Sequence, residues 1–395
     1  MALCQLKTQP QIRRCESYRF YCHAPDFWRI MINRMSEQEN NIYDEVLDYI
    51  RQPFEAGFEP LALKVFAHQF ACNPAYRNYC RIKGKTPETI AAWREIPAVP
   101  TDAFKELDLV CGRPEAVFLT SGTSRGPTKR GRHLIPRLEI YRASALLNFS
   151  AHFLPDLPVL KMLILAGSPE LWPDSSLAHM IGLIRREYGG DDAAWFMKDT
   201  GLDADRLMES LDDACDQNRP VILLGVTLAY FQFLELARSR RRSFRLPSGS
   251  RIMDTGGFKG RKIDLSKSEL YRRYEEVFGI PPTHIVNEYG MTEMCSQFYD
   301  NVLADAVNGI ARPRHKRIPP WVRTLIVDPE TLEELPHGST GLLRHYDLAN
   351  CGSVMALQTE DIGHRIGDGF EITGRAAGAE SRGCSLIIEE LPRVQ

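Results

Sequence analysis

The chain has 395 residues, 44% of them hydrophobic and 25% charged, and a formal charge of −2. That composition suits a folded protein with a large core, gives no electrostatic reason for nucleic acid as the main partner, and includes no apolar run near the roughly 20 residues that span a bilayer. Ten cysteines without a CxxC pair read as the reduced thiols of a cytoplasmic protein, not as a disulfide framework.

Residues 1–34 read as an N-terminal extension, because a clean amphipathic pattern begins only after Met35, and they show no apolar signal core. From Ile42 to about Lys83 the apolar spacing is helical, and Thr86-Pro87-Glu88 reads as a further helix start followed by a proline-marked turn. Strand-like and helix-like runs then alternate. EAVFLT, VLKMLILAG, RPVILLGV, SRIMDTGG and THIVNEYG read as strands. PRLEIYRASALLNFSAHFL, SSLAHMIGLIRREYG, TLAYFQFLELARSR and DLSKSELYRRYEEVFG read as helices. Such alternation predicts an α/β fold with a mainly parallel sheet covered on both faces. Beyond Gly309 two strands flank an acidic turn, as expected of a smaller antiparallel β unit.

Four stretches carry chemistry. Thr120, Ser121, Gly122 and Thr123 follow a strand and are expected to precede a helix, so that backbone N–H groups and hydroxyls surround phosphate oxygens. The GK[ST] ending of a Walker A loop is missing. MDTGGFKG offers Gly256 and Gly257 for close backbone approach to a planar ligand. NEYGMTEM follows a strand, where Tyr289 can stack on a base, Gly290 gives room, Thr292 can donate to phosphate and Glu293 can hold Mg²⁺. In the last stretch Asp361 can accept from ribose hydroxyls and Arg375 can meet phosphate. Each has a plain structural alternative: a surface loop, a turn, a capped helix or a surface ion pair.

Taken in order, the [ST]SGT loop, the Gly pair, the YGxTE turn, TxD and GR resemble the acyl-adenylating superfamily. IPAVPTDAFK, GGFKG, NEYGMTE and DLANCGSVMALQTEDIGHRIGDGFEITGRAAGAESRGCS are most similar to the acyl-protein synthetases, the LuxE family of the bacterial luminescence fatty-acid reductase complex. The resemblance covers about Met35 to the end. It implies an adenylation core over 35–372, a tail over 373–395, and a mobile lid domain that is largely missing. It further implies ATP and Mg²⁺, a carboxylic and in particular a fatty acid, and an acyl-reductase partner. Residues 120–123 would bind phosphates; Gly256, Gly257 and Tyr289 would frame adenine; Thr292 and Glu293 would serve phosphate and metal, and Asp361 ribose. Cys384 would receive the acyl group, its thiolate favoured by Arg382. Two departures stand out: Ser124-Arg125 replaces the usual Thr-Gly, and the lid lysine is absent, leaving Lys259 or Arg375 to supply its charge. Competing readings are a carboxylate–CoA ligase of phenylacetate type and an inactive nucleotide-binding scaffold subunit.

Other features read as ordinary structure. His68 and Cys72 share a helical face with Cys80 further on, but no four-ligand set at finger spacing completes them. The ARSRRRSFR run reads as a solvated helix end, and His133 and PRHKR as surface groups. LAYFQFLELA reads as core or as the wall of an acyl pocket.

Overall fold

The computed structural model of the chain describes residues 42–120, 130–157, 160–190, 192–256 and 265–376. Ser121, Gly122, Thr123, Gly257, Lys259 and Cys384, together with the 1–34 extension, lie outside the described residues. Three helices come first: α1 (42–51), α2 (Phe58–Cys72) and α3 (Pro74–Ile82). Asn73 caps α3 by accepting from the Tyr76 N–H at 3.1 Å, with Pro74 at the first helical position, where its missing donor costs nothing. The helix expected at Thr86 does not form. There the Thr86 N–H donates to the Thr89 hydroxyl at 2.8 Å, and the Glu95 carboxylate takes the N–H groups of Ala91 and Ala92, leaving a turn and a 3-10 segment at Trp93–Glu95.

The chain continues through β1 (Val99–Pro100), α4 (Ala103–Glu106), β2 (Ala116–Leu119), β3 (Arg132–Ile135) and α5 (Leu138–Phe153). Then come β4 (Lys161–Leu165), α6 (Ser176–Tyr188), β5 (Ala194–Trp195), β6 (Met197–Lys198), β7 (Gly201–Leu202) and α7 (Ala204–Asp216). β8 (Val221–Val226), α8 (Thr227–Ser239), β9 (Arg251–Thr255), α9 (Lys267–Phe278) and β10 (Ile285–Tyr289) follow. The strands β4, β8, β9 and β10 match the expected ones, and they form a sheet of order β11-β10-β9-β8-β4-β5 that is parallel except for β11 (Phe298–Tyr299). α7 has no counterpart in the sequence reading, although Leu207, Leu211 and Ala214 recur at helical spacing and are buried.

Period-two alternation sends these strands into two cores. Leu163, Leu165, Val221, Leu223, Ile252 and Ile285 face α7, α8 and α9. Met162, Ile164, Ile222, Leu224, Met253 and Val286 join a larger core that also takes in α2, α3 and α5. After α10 (Val302–Val307), the strands β12 (Lys316–Arg317), β13 (Val322–Val327), β14 (Thr340–Asp347), β15 (Ala356–Ile366) and β16 (Gly369–Arg375) form a second sheet of order β12-β16-β15-β14-β13. It is antiparallel, as expected, with β1 lying parallel against β15. Val322, Leu342, Tyr346 and Leu357 belong to the larger core, so one apolar interior joins both sheets. α8 buries Tyr230, Phe233 and Leu234 in the outer core. No helix among the described residues is long and apolar enough to cross a membrane.

Candidate active site

The loop that opens at Thr120 corrects one expectation. It joins β2 to β3 in an antiparallel hairpin, with Leu119 opposite Arg132, and α5 begins only at Leu138. Among the described residues no helix follows the loop before α5, so the expected strand–loop–helix order is not the one seen. The base is closed tightly: the Thr120 N–H donates to the Gly131 carbonyl at 2.9 Å, and the Gly131 N–H returns to the Thr120 hydroxyl at 2.8 Å. Arg130 spans the same base, donating to the Thr120 and Leu119 carbonyls at 2.6 and 3.1 Å and pairing with Asp174 at 2.6 Å.

At the carboxyl ends of β9 and β10 the fold gathers the remaining candidates. Gly256 follows β9 with φ 73°, a left-handed backbone that favours glycine, and a Cβ built there would meet nothing within 4 Å among the described residues. Tyr289 ends β10 and donates its hydroxyl to Asp361 Oδ2 at 2.7 Å across 72 residues of sequence. Its ring rests edge-on against Phe370, centroids 6.0 Å apart, and beside Phe298 and His345. Burial, then the Asp361 charge, push the phenol well above its ordinary pKa. Asp361 on β15 stands opposite Arg375 on β16, whose guanidinium bonds Glu360 at 3.1 Å. The gathering of Tyr289, Asp361 and Arg375 follows from the register of two sheets that share one core.

Gly290, Thr292 and Glu293 form the turn beyond β10. Removal from water pushes the Glu293 carboxyl up to about 7, against the opposing pull of Lys105 and Arg375; Asp102 adds to the rise. Lys105 itself bonds Asp102 at 2.5 Å. The turn is fixed from two sides. His133 donates from Nδ1 to the Thr292 carbonyl at 2.6 Å, and Asn350 donates to the Glu293 carbonyl at 2.9 Å. Because a carbonyl only accepts, the His133 proton sits on Nδ1. Its Nε2 has no hydrogen-bond partner among the described residues, and burial drives its pKa down to about 4. His133 is thus an interior brace rather than the surface group expected.

The PRHKR stretch is likewise no plain surface run. Lys316 is buried, donates to the Asn287 carbonyl at 2.5 Å and pairs with Asp300 at 2.9 Å; Arg314 pairs with the same carboxylate at 2.7 Å. Beside them burial raises the Asp254 carboxyl, and it pushes Glu288 up to about 7 while the Thr255 hydroxyl donates to it. This polar network under the turn escapes a reading by motif; its signals in the sequence are Asp254, Asn287 and Glu288, polar residues inside the strands β9 and β10. The ARSRRRSFR end is exposed as expected, with Arg240 and Arg242 paired to Asp205 and Asp212.

Chemically, the cleft offers an aromatic face, an open glycine backbone, a carboxylate able to bind a diol, and an acid poised near neutrality beside two cations. A family model described as acyl-protein synthetase, LuxE, matches residues 35–391. A long-chain-fatty-acid–luciferin-component ligase of Vibrio harveyi is 23% identical over 340 residues, covering 82% of this chain and 85% of its own. Its namesake in Aliivibrio fischeri is 22% identical over 331 residues, covering 80% and 83%. An open conformation of 2-hydroxyisobutyryl-CoA ligase, solved with 2-HIB-AMP and CoA, superposes with a TM-score of 0.57 at 17% identity, covering 79% of this chain and 73% of that one. The last likeness is one of fold.

Proposed function

The chain belongs to the acyl-protein synthetase family, and from that premise we propose that it activates a long-chain fatty acid with ATP and holds the acyl group as a thioester on Cys384 for a partner acyl-reductase. The observation that carries this reading is the 2.7 Å bond between Tyr289 and Asp361, which puts a base-stacking ring and a diol-binding carboxylate side by side at the carboxyl ends of a parallel sheet. Adenine lies between Tyr289 and the Gly256–Gly257 backbone, Asp361 accepts from the ribose hydroxyls, and residues 120–123 receive the outer phosphates.

A fatty carboxylate oxygen attacks the α-phosphorus and the bond to pyrophosphate breaks, giving acyl-adenylate. Arg375 or Lys259 would supply the positive charge that offsets the charge developing on the phosphates. The Cys384 thiolate then attacks the acyl carbon and AMP leaves with the electron pair of the cleaved C–O bond. Glu293 suits Mg²⁺: its carboxyl is held near pH 7 by loss of water, and a dication restores the ionised form that coordinates through oxygen. Bound there with Thr292 nearby, Mg²⁺ supplies charge neutralisation on the phosphate oxygens. The domain division follows the same reading, with the core over 35–372 and Cys384 in the 373–395 tail.

Intact-mass spectrometry after incubation with ATP, Mg²⁺ and a panel of acids tests the proposal. A fatty-acyl adduct is expected on the wild type and absent from Cys384→Ser, which keeps ATP–pyrophosphate exchange. Soluble acyl-CoA formed on addition of CoA, with an unlabelled protein, overturns it in favour of a CoA ligase. No pyrophosphate release with any acid overturns it in favour of a scaffold role.

A further inference from the structure

We propose that His68, Cys72 and Cys111 form a zinc site that staples the N-terminal helices to the body of the protein. His68 and Cys72 lie one turn apart on α2, so both point to one side. Cys80 does not complete the set: it is fully buried in α3, and its thiol is pushed up to about 12 by burial. The third donor is Cys111, from the segment between α4 and β2, and no local spacing announces it.

The three donor atoms lie within 4.8 Å of one another, with Cys72 Sγ 3.3 Å from His68 Nε2. In a tetrahedral zinc site with bonds of roughly 2.3 Å to sulfur and 2.0–2.1 Å to nitrogen, the donor–donor edges are about 3.6–3.8 Å. Rotation of side chains is enough to close that difference. Two sulfurs and an imidazole are a soft set that selects zinc over magnesium or calcium. Cys111 is buried while His68 and Cys72 are half-exposed, so solvent reaches the α2 donors, and a water is the fourth ligand of the proposed site.

The surroundings are already fixed. The Tyr43 hydroxyl donates to the Cys111 carbonyl at 3.0 Å, and the Tyr43 ring meets His68 edge-on at 5.5 Å. The Cys111 N–H donates to the Gly352 carbonyl at 2.8 Å. Gln69, next to His68, donates to the carbonyls of Asn350 and Cys351, both at 3.0 Å. The site therefore abuts the 350–352 turn, whose Asn350 holds the Glu293 carbonyl. On loading, each thiol gives its proton to water as its sulfur bonds the ion, and nothing is oxidised or reduced.

Titration of the reduced, metal-stripped full-length chain with Co²⁺ tests this. Uptake of one ion per chain is expected, with a thiolate-to-cobalt charge-transfer band that vanishes when Zn²⁺ displaces the cobalt. Cys72→Ser, Cys111→Ser and His68→Gln should each weaken binding by more than the roughly 10–100-fold that an outer-shell change costs. Cys80→Ser should bind as the wild type does. In the unmutated protein, Zn²⁺ should slow alkylation of Cys72 and Cys111 and leave half-exposed Cys215 unprotected, a readout independent of variant folding. Absence of stoichiometric uptake overturns the proposal, as does uptake unchanged in both serine variants. So does a Cys72–Cys111 disulfide whose reduction yields no binding.

Discussion

The outer face of the parallel sheet and the carboxyl ends of the same strands are both buried, yet their chemistry is opposite. On the outer face Leu163, Leu223, Ile252 and Ile285 meet an interior of α7, α8 and α9 that is apolar apart from a few tyrosine hydroxyls. Two or three residues further along, Asp254, Thr255, Asn287 and Glu288 crowd together, with Lys316 and Asp300 beneath. Burying such groups costs several kcal/mol each unless they are paired, and the raised carboxyls of Asp254 and Glu288 show that the cost is only partly offset. The outer face is built for cohesion; the strand ends gather polar and ionisable groups where the proposed nucleotide would sit.

The contrast breaks most sharply at Glu293. Glu293→Ala should lower ATP–pyrophosphate exchange by about 10³-fold, near 4 kcal/mol of transition-state stabilisation. At pH 5, where the wild-type carboxyl is protonated in the fold, the variant's denaturation midpoint should stay close to that of the wild type; a large stability loss there would make Glu293 a structural residue. On the outer face the outcomes reverse. Leu223→Ala removes a fully buried side chain and should cost about 2–5 kcal/mol in chemical denaturation, while exchange per folded molecule stays unchanged.

The pH dependence of Glu293 comes next in size. Its folded carboxyl titrates near 7 against an ordinary 4.5, so its contribution to stability is fully present below about pH 4.5 and is lost as pH rises through 7. Glu293→Gln should therefore be more stable than the ligand-free wild type by about 1–3 kcal/mol at pH 8, with the difference closing by pH 5. Thermal melts across that range decide it; a constant gap would remove the raised carboxyl. Smallest is Tyr289→Phe, which deletes the bond to Asp361. It should cost about 0.5–1.5 kcal/mol of stability and raise the KM for ATP several-fold with little change in kcat. An unchanged KM would detach the ring from the nucleotide.

How far each region is legible follows from the same chemistry. Strands β4 and β8 announce themselves because both faces are covered, so apolar residues run on without alternation, whereas β9 and β10 show only two apolar residues each before their polar ends. The β2–β3 hairpin does not: RHLI is a four-residue strand of mixed polarity, and the stronger helical pattern after Pro136 hides it. The meeting of Tyr289 with Asp361 has no local signature, since it depends on the register of β15 against strands distant in sequence. Only the family's order of motifs anticipates it. His133 and Lys316 mislead for a further reason: basic side chains are assigned to solvent by type, whereas here a carbonyl and a carboxylate take them inside.

Gln69 carries a consequence for how the chain is made. Its amide is fully enclosed, with the nitrogen serving Asn350 and Cys351 and the oxygen accepting from Met355 at 3.2 Å. All three partners leave the ribosome some 280 residues later, which at roughly 5–20 residues per second is a wait of about 14–56 seconds. During that interval α2 holds a polar group that its final apolar surroundings cannot satisfy. The opening helices of a nascent chain therefore stay undocked until its last third arrives, and a ribosome stalled before residue 350 should leave α2 open to protease.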